Sequence, residues 1–302
     1  MNRISQVLAD KCSSTLAGMI ANSQVIDLER LNFRASLKYL IAHDPNISVE
    51  ISSPDGFDVY DSRFGTVLPN GPAISEARVS DFLLGAMRVK NQYESLKKMK
   101  AGGANSAWLL VTAYYCAFFS CIEICKLLDR ISFSLDDNDI ATLSYKAIGP
   151  HRAQFFSGTQ KNFVGTQYAG MLRFRSVGAK PHKAAWENVR IVFSQIFSSK
   201  GWVDANRYIQ ILSDDEYSPS RIRNIWNYAR SDYYGETGES IAENFTKLIG
   251  NPRGAFGWLV SRQQKLDSLD PSIIAVLCES LAAAVLNASE RAGNLVSERA
   301  SI

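Results

Sequence analysis

The chain has 302 residues, an apolar share of 46% and a formal net charge of +3. This length allows one large domain or two modest ones, and the apolar share is ample for a packed core. The small net charge excludes a global basic field for nucleic acid and leaves a local basic patch open. Five cysteines, an odd number without a paired Cys-x-x-Cys pattern, argue against a disulfide framework.

The first 44 residues have helical periodicity. Leu8, Leu16 and Ile20 indicate one helix, and the leucines of 28–41 indicate another. The start of the chain lacks the continuous apolar segment of a signal peptide, so we expect a cytoplasmic protein.

A short stretch of period-two alternation follows. Ile47–Ile51 alternates, Ser53-Pro54-Asp55-Gly56 carries the residues of a tight turn, and Phe57–Tyr60 and Thr66–Leu68 continue the pattern. This arrangement predicts a small antiparallel β ribbon near the N-terminus.

Two long helices are predicted next. Ser75–Lys100 has a broad apolar stripe and a basic end, which complements the helix dipole or offers a nucleic-acid contact. Ser106–Arg130 is apolar on nearly all sides, but polar residues interrupt it before the ~20 apolar residues that a membrane span requires. We therefore expect a buried central helix and no membrane partner.

The segment 149–183 contains five glycines and two prolines, which predict an irregular structure. Its basic residues, among them His151, Arg175 and His182, are interleaved with aromatic residues. Such a mixture suits single-stranded nucleic acid, whose bases stack and whose phosphates need cations. A loop anchored by buried aromatic residues is the alternative interpretation.

A distinctive polar face follows the helix-opening pair Ser218-Pro219. We expect one helix over Arg221–Tyr234, with no carboxylate before Asp232. Its polar face consists of two arginines, two amides and a phenol: Arg223, Asn224, Asn227, Tyr228 and Arg230. Residues spaced by three, four and seven share a helix face, and guanidinium groups bind phosphates well. The face predicts an anion or phosphodiester site, or else a solvated surface or a helix–helix interface.

The motif Ala113-Tyr114-Tyr115-Cys116-Ala117-Phe118-Phe119 in the second long helix, together with Arg223-Asn224 in the later one, resembles a HEPN domain. The resemblance extends from Ser75 to Tyr234. It implies an all-α bundle, commonly dimeric, and in many members a ribonuclease that requires no metal and no cofactor.

One feature of the family pattern is missing. The family has a His separated from the Arg by four to six residues, where this chain has Tyr228, Ala229 and Arg230. His182 follows Arg175 at a matching distance, but the intervening SVGAKP contains Gly and Pro and cannot form such a helical turn. The resemblance implies three catalytic residues, which are Arg223, Asn224 and Tyr228. The residues expected to bind RNA or phosphate are Asn227, Arg230, Arg175, His182 and His151.

Two functions follow from this resemblance. The first is a HEPN-like endoribonuclease of a prokaryotic toxin or antiviral defence system. The second is an inactive HEPN-like module that binds RNA, a nucleotide or a partner effector. A plain assembly protein that dimerises through aromatic helix faces is a third option. We expect a mainly α fold, a HEPN-like bundle with the β ribbon, divided into 1–72 and 73–302. RNA and a homodimer or a partner protein of the same system are the expected partners.

Overall fold

The computed structural model describes residues 1–23, 26, 28, 31–62, 71–168, 171–178, 181–213, 218–261 and 269–300. The chain is mostly helical with one small antiparallel sheet of five strands. This architecture confirms the prediction of a mainly α fold. Whether the helices form a HEPN-like bundle stays a prediction.

The helices of the described residues are numbered in chain order: α1 Arg3–Asn22, α2 Leu37–His43, α3 Pro72–Ala101, α4 Ser106–Leu127, α5 Asp137–Lys146, α6 Arg152–Ser157, α7 Pro181–Phe197, α8 Val203–Ser213, α9 Pro219–Asn224, α10 Glu236–Ile241, α11 Glu243–Leu248, α12 Pro252–Ser261 and α13 Ser272–Ala300. The strands are β1 Ile47–Ser53, β2 Gly56–Asp61, β3 Ile131–Ser134, β4 Asn162–Tyr168 and β5 Met171–Ser176.

The chain divides into two compact units, each built from separate stretches of sequence. Unit 1 comprises Met1–Lys11, Ala86–Ile124 and His182–Ala288, and unit 2 comprises Cys12–Gly85, Cys125–Pro181 and Ser289–Ile302. The division predicted from the sequence, between residues 72 and 73, falls inside unit 2 and stays a prediction.

Unit 2 contains the sheet, whose strand order is β1-β2-β5-β4-β3 with every neighbouring pair antiparallel. The predicted hairpin is confirmed, since Ile47 pairs with Asp61 and Ser53 pairs with Gly56. The third segment of the predicted ribbon, Thr66–Leu68, lies outside the described residues. The sheet is larger than expected, because three further strands come from the region between 131 and 176.

The expectation of an irregular 149–183 is therefore wrong: this stretch contains α6, β4, β5 and the start of α7. Gly165, which resembled a breaker, lies within β4 opposite Phe174 of β5. A Cβ at this position would collide with the Phe174 ring, so the glycine allows the ring to pack onto the strand.

The core of unit 2 is aromatic and centres on Phe57 of β2. Its ring stacks on Phe174 at 5.0 Å and meets Phe163 at 5.2 Å and Phe155 at 5.9 Å edge-on. Phe155 and Phe163 are thus buried among apolar residues of the sheet and its helices. Their burial supports the alternative of aromatic residues that anchor the backbone over that of exposed base-stacking rings.

Unit 1 contains most of the apolar helix α4. Leu110, Ala113 and Tyr114 have no exposed surface, which confirms the prediction of a buried helix. Asn105 caps its first turn by accepting a hydrogen bond from the Ala107 backbone N–H at 2.9 Å. Beside it, Glu279 of α13 accepts hydrogen bonds from the Tyr93 hydroxyl at 2.7 Å and from the Gly250 N–H at 2.8 Å.

Among the described residues, two helices are long and apolar enough to cross a membrane when judged by length and composition alone. These are α4 and α13, and 67% and 78% of their apolar windows are buried within the structure. All five cysteines are buried.

Candidate functional site

The polar centre of unit 1 is the hydroxyl group of Tyr114, which α4 places in an otherwise apolar environment. Its oxygen lies 2.8 Å from His182 Nδ1, 3.0 Å from Ser220 Oγ and 3.3 Å from Trp186 Nε1. A buried phenol requires such partners, because an unpaired hydroxyl is costly to remove from water. The indole N–H can only donate, so Tyr114 accepts from Trp186.

His182 reaches Tyr114 from the first turn of α7. Pro181 is the first residue of that helix, a position where proline is tolerated because its missing N–H has no helical partner. The imidazole ring stacks on Phe118, with centroids 4.2 Å apart and an interplanar angle of 15°. The pKa of His182 is lowered, mainly by burial of the ring and to a smaller extent by the positive charge of Arg223. The ring is therefore uncharged at pH 7.

Arg223, in the last turn of α9, is surrounded by three tyrosine rings. Its guanidinium carbon lies 5.1 Å from the Tyr114 centroid, 5.9 Å from that of Tyr115 and 5.7 Å from that of Tyr228. These distances are within the range of cation–π attraction. Arg223 Nη1 lies 3.5 Å from the Tyr228 hydroxyl, at the long limit of a hydrogen bond.

The Nε atom of Arg223 is buried and has no hydrogen-bond partner among the described residues. Buried guanidinium donors without an acceptor are uncommon, because each leaves a desolvated polar group. An anion held against Arg223 would supply acceptors for its remaining donors.

The expected continuous helix over Arg221–Tyr234 is wrong beyond Asn224. A π-helical turn covers Ile225–Ala229, closed by a 3.1 Å hydrogen bond from the Arg230 N–H to the Ile225 carbonyl. The wider turn changes the register, so the three-, four- and seven-residue spacing no longer defines one face. Short π segments of this kind occur frequently at functional sites.

Two polar residues, Asn227 within the π turn and Arg230 directly after it, form local contacts. Arg230 donates two hydrogen bonds to Asp232, at 2.8 and 2.6 Å, so its charge is already paired. Asn227 accepts a hydrogen bond from the Tyr234 hydroxyl at 3.0 Å. Of the two arginines that the sequence assigned to this face, Arg223 is the one without an ion pair among the described contacts.

Two other predicted site residues, Arg175 and His151, belong to unit 2. Arg175 lies in β5 and donates to the Phe174 carbonyl at 3.1 Å, and His151 immediately precedes α6. Because a strand contains Arg175 and a helix begins just before His182, these two residues do not form a helical Arg–His motif.

Two concave surfaces of unit 1 border the cluster formed by Tyr114, His182 and Arg223. A shallow depression of about 660 Å³ is lined by Arg221, Asn224 and Tyr228, with Ser218, Ile225 and Ala229. A second cavity, of about 480 Å³, extends along α7 and meets the start of α9 at Ser218 and Ser220. The described residues contain no group of three or more His, Cys, Asp or Glu side chains that could hold a metal ion.

Sequence reasoning did not identify Ser220, Trp186 or Phe118 as part of the site. It used Tyr114 only as a family signature. The sequence did contain one indication of this site. Tyr114 carries a hydroxyl group within a helix that has no charged residue before Glu123, and a buried hydroxyl of this kind must find hydrogen-bond partners elsewhere in the chain.

Comparison of the chain with protein-family models, with curated proteins and with solved structures gave no significant match. The HEPN resemblance stays a hypothesis.

Proposed function

We propose that this protein is a HEPN-like endoribonuclease that cleaves RNA without a metal ion, with His182 and Arg223 at its centre. The observation that carries the proposal is that these two side chains, from α7 and α9, contact the same residue, Tyr114. The family resemblance implies an Arg–His pair on one helix, and in this proposal His182 and Arg223 take its role from two helices.

The reaction requires a base, a charge stabiliser and an acid. The base removes the proton of a ribose 2′-hydroxyl, whose oxygen attacks the adjacent phosphorus. The O2′–P bond forms, the P–O5′ bond breaks, and O5′ takes up a proton. The products are a 2′,3′-cyclic phosphate and a 5′-hydroxyl end.

His182 is suited to the role of base, because its lowered pKa leaves the imidazole unprotonated at neutral pH. In this assignment the proton of the neutral ring is on Nδ1, which donates it to the Tyr114 oxygen, so Nε2 is the unprotonated atom that would take the 2′-hydroxyl proton. Arg223 is suited to stabilise the negative charge that develops on the phosphorane oxygens. Its guanidinium group remains charged at any physiological pH.

Tyr228 and Asn224 complete the proposed site from the depression. The Tyr228 side chain is 72% exposed and lies beside Arg223, where its hydroxyl can reach a substrate. Tyr228 is assigned the donation of a proton to O5′. Asn224 and Arg221 would hold the phosphates on either side.

A binding module without catalysis is the second candidate. It is favoured by the position of the His182 ring, which is half-buried, stacked on Phe118 and engaged at one nitrogen. The toxin or defence role, the homodimer or partner protein, and the cytoplasmic location come from the family resemblance and the sequence alone.

The test is cleavage of a mixed-sequence RNA in the presence of a chelator. We expect the wild-type protein to produce 2′,3′-cyclic phosphate ends, detected by mass spectrometry, and His182→Gln and Arg223→Ala to lose at least about 100-fold in rate. His43→Gln and the exposed Arg253→Ala are matched controls outside the site and should retain full activity. Circular dichroism verifies folding of each variant.

Stable RNA binding with no turnover by the wild-type protein would select the binding module. Cleavage that survives both His182→Gln and Arg223→Ala would place the chemistry elsewhere and overturn the proposal.

A further inference from the structure

The cavity along α7 has the size of a small-ligand site. Its volume of about 480 Å³ lies within the range of about 300–1,000 Å³ that is typical of ligand pockets. It is bordered by Trp186 and Ser220, which both contact the Tyr114 hydroxyl. The cavity is therefore adjacent to the proposed catalytic residues, and the proposed chemistry gives it no role.

Three charged side chains of α7 project into this cavity in a fixed order. Lys183, Glu187 and Arg190 are separated by four and three residues, so they share one face of the helix. Lys183 follows His182 directly, and Glu187 lies about 6 Å farther along the helix axis. The end of the cavity near His182 is thus cationic, and the far end presents a carboxylate beside a guanidinium.

The pair at the far end is loosely held. Arg190 Nη2 and Glu187 Oε1 are 4.0 Å apart, and the two side chains are 37% and 52% exposed. At this distance each group retains hydrogen-bonding capacity for a ligand. A carboxylate repels phosphate, so a nucleotide in the cavity would direct its phosphate toward Lys183 and its base toward Glu187 and Arg190.

Guanine matches this far end better than the other RNA bases. Its Watson–Crick edge offers two adjacent donors, N1–H and N2–H₂, to the two oxygens of a carboxylate, and its O6 accepts from a guanidinium. Adenine and cytosine place an acceptor next to their amino donor, and uracil has a single N–H between two carbonyls. A bidentate contact of this type contributes about 1–3 kcal/mol of discrimination between bases, which corresponds to roughly 5- to 150-fold.

We propose that the cavity along α7 binds guanine, so that RNA is cleaved after guanosine. The ribose whose 2′-hydroxyl faces His182 would carry this base. The position of the base relative to the cleaved bond rests on the proposed ribonuclease function, but the binding of guanine does not.

Isothermal titration calorimetry of the full chain with each of the four nucleoside 3′-monophosphates tests the inference without any cleavage. We expect the guanosine nucleotide to bind at least about 10-fold more tightly than the others. Glu187→Gln keeps the size of the side chain and removes its charge, and should abolish this preference. Glu236→Gln, an exposed change outside the cavity, is the matched control and should bind like the wild type.

Equal affinity for the four nucleotides, no binding at millimolar concentration, or a guanosine preference that persists in Glu187→Gln would each overturn the guanine site. Sequencing of RNA fragments separates this result from the proposed function. Cleavage after all four bases would refute the placement of guanine before the cleaved bond and keep the ribonuclease. A Glu187-dependent guanosine preference without cleavage would keep the site and refute the ribonuclease.

Discussion

The Tyr114 hydroxyl offers a sharp test of how the cluster is held together, because Tyr114→Phe removes a single oxygen atom. The ring, its stacking and its burial remain. What disappears is the acceptor of the Trp186 N–H and the partner of His182 Nδ1 and Ser220 Oγ.

The three lost hydrogen bonds lower the free energy of unfolding by different amounts. Trp186 is only 4% exposed, so its N–H would remain buried without an acceptor, which costs about 1–3 kcal/mol. His182 and Ser220 are half-buried, so water can replace the lost contact and each costs less. We expect the free energy of unfolding to fall by roughly 2–3 kcal/mol. With a slope near ~3 kcal/mol per molar urea, the urea midpoint should fall by roughly 0.7–1 M.

Urea unfolding followed by circular dichroism measures this change, and Tyr145→Phe is the control. Tyr145 is 89% exposed, so its hydroxyl faces water and the midpoint should not move. Trp186→Phe removes the stranded donor, and Tyr114→Phe should cost about 1–2 kcal/mol less in that background. RNA cleavage, if the proposed function holds, should fall by up to about 100-fold in Tyr114→Phe, because His182 loses the contact that orients its ring.

A Tyr114→Phe midpoint equal to that of the wild type, with no coupling to Trp186→Phe, would show that the hydroxyl network contributes nothing to the fold. The assignment of Tyr114 as the residue that positions His182 would then be refuted.

Three further outcomes are expected. The pKa of His182 in the folded protein is below its ordinary value of about 6.5, so the neutral ring contributes its full stability above pH 6.5 and this stability is lost as the pH falls toward the lowered pKa. NMR titration of the imidazole should give the lowered pKa as its midpoint. Arg223→Ala removes a positive charge and should raise that midpoint. Arg230→Ala should change RNA cleavage by less than about threefold, since its guanidinium group is paired with Asp232; a loss equal to that of Arg223→Ala would contradict the assignment. In unit 2, Arg173→Met should destabilise the protein by about 3–5 kcal/mol in urea unfolding, because it strands the buried Asp58 carboxylate, and adding Asp58→Asn should recover part of the loss.

Local patterns predicted the elements whose signals are contained in one stretch of sequence. The apolarity of α4 predicted its burial, and Ser53–Gly56 predicted the β1–β2 hairpin. The strands β4 and β5 pair with each other as a local hairpin, but the glycines of this stretch indicated turns, and the outer partners β3 and β2 come from other parts of the sequence. From its neighbours in sequence, Gly165 was interpreted as the end of a regular element. In the structure it lies opposite Phe174, where the absence of a side chain allows the ring to pack closely.

The candidate site was predictable only in part for the same reason. The position of Arg223 on a predicted helix was enough to make it a candidate site residue. No spacing rule could show that it lies near His182. The two residues meet at Tyr114, 68 positions before His182. Equally, the π turn moved Arg230 and Asn227 out of the predicted face, because periodicity assumes an uninterrupted α-helix.

The separated stretches of unit 1 have a consequence for synthesis of the protein in the cell. Tyr114 and Ser220 are 106 positions apart, so a ribosome that adds about 5–20 residues per second needs roughly 5–20 s between them. Throughout that interval the nascent chain holds Tyr114 without the partners of its hydroxyl from α9. If the proposed function holds, the activity against RNA would therefore arise only after α9 has been translated.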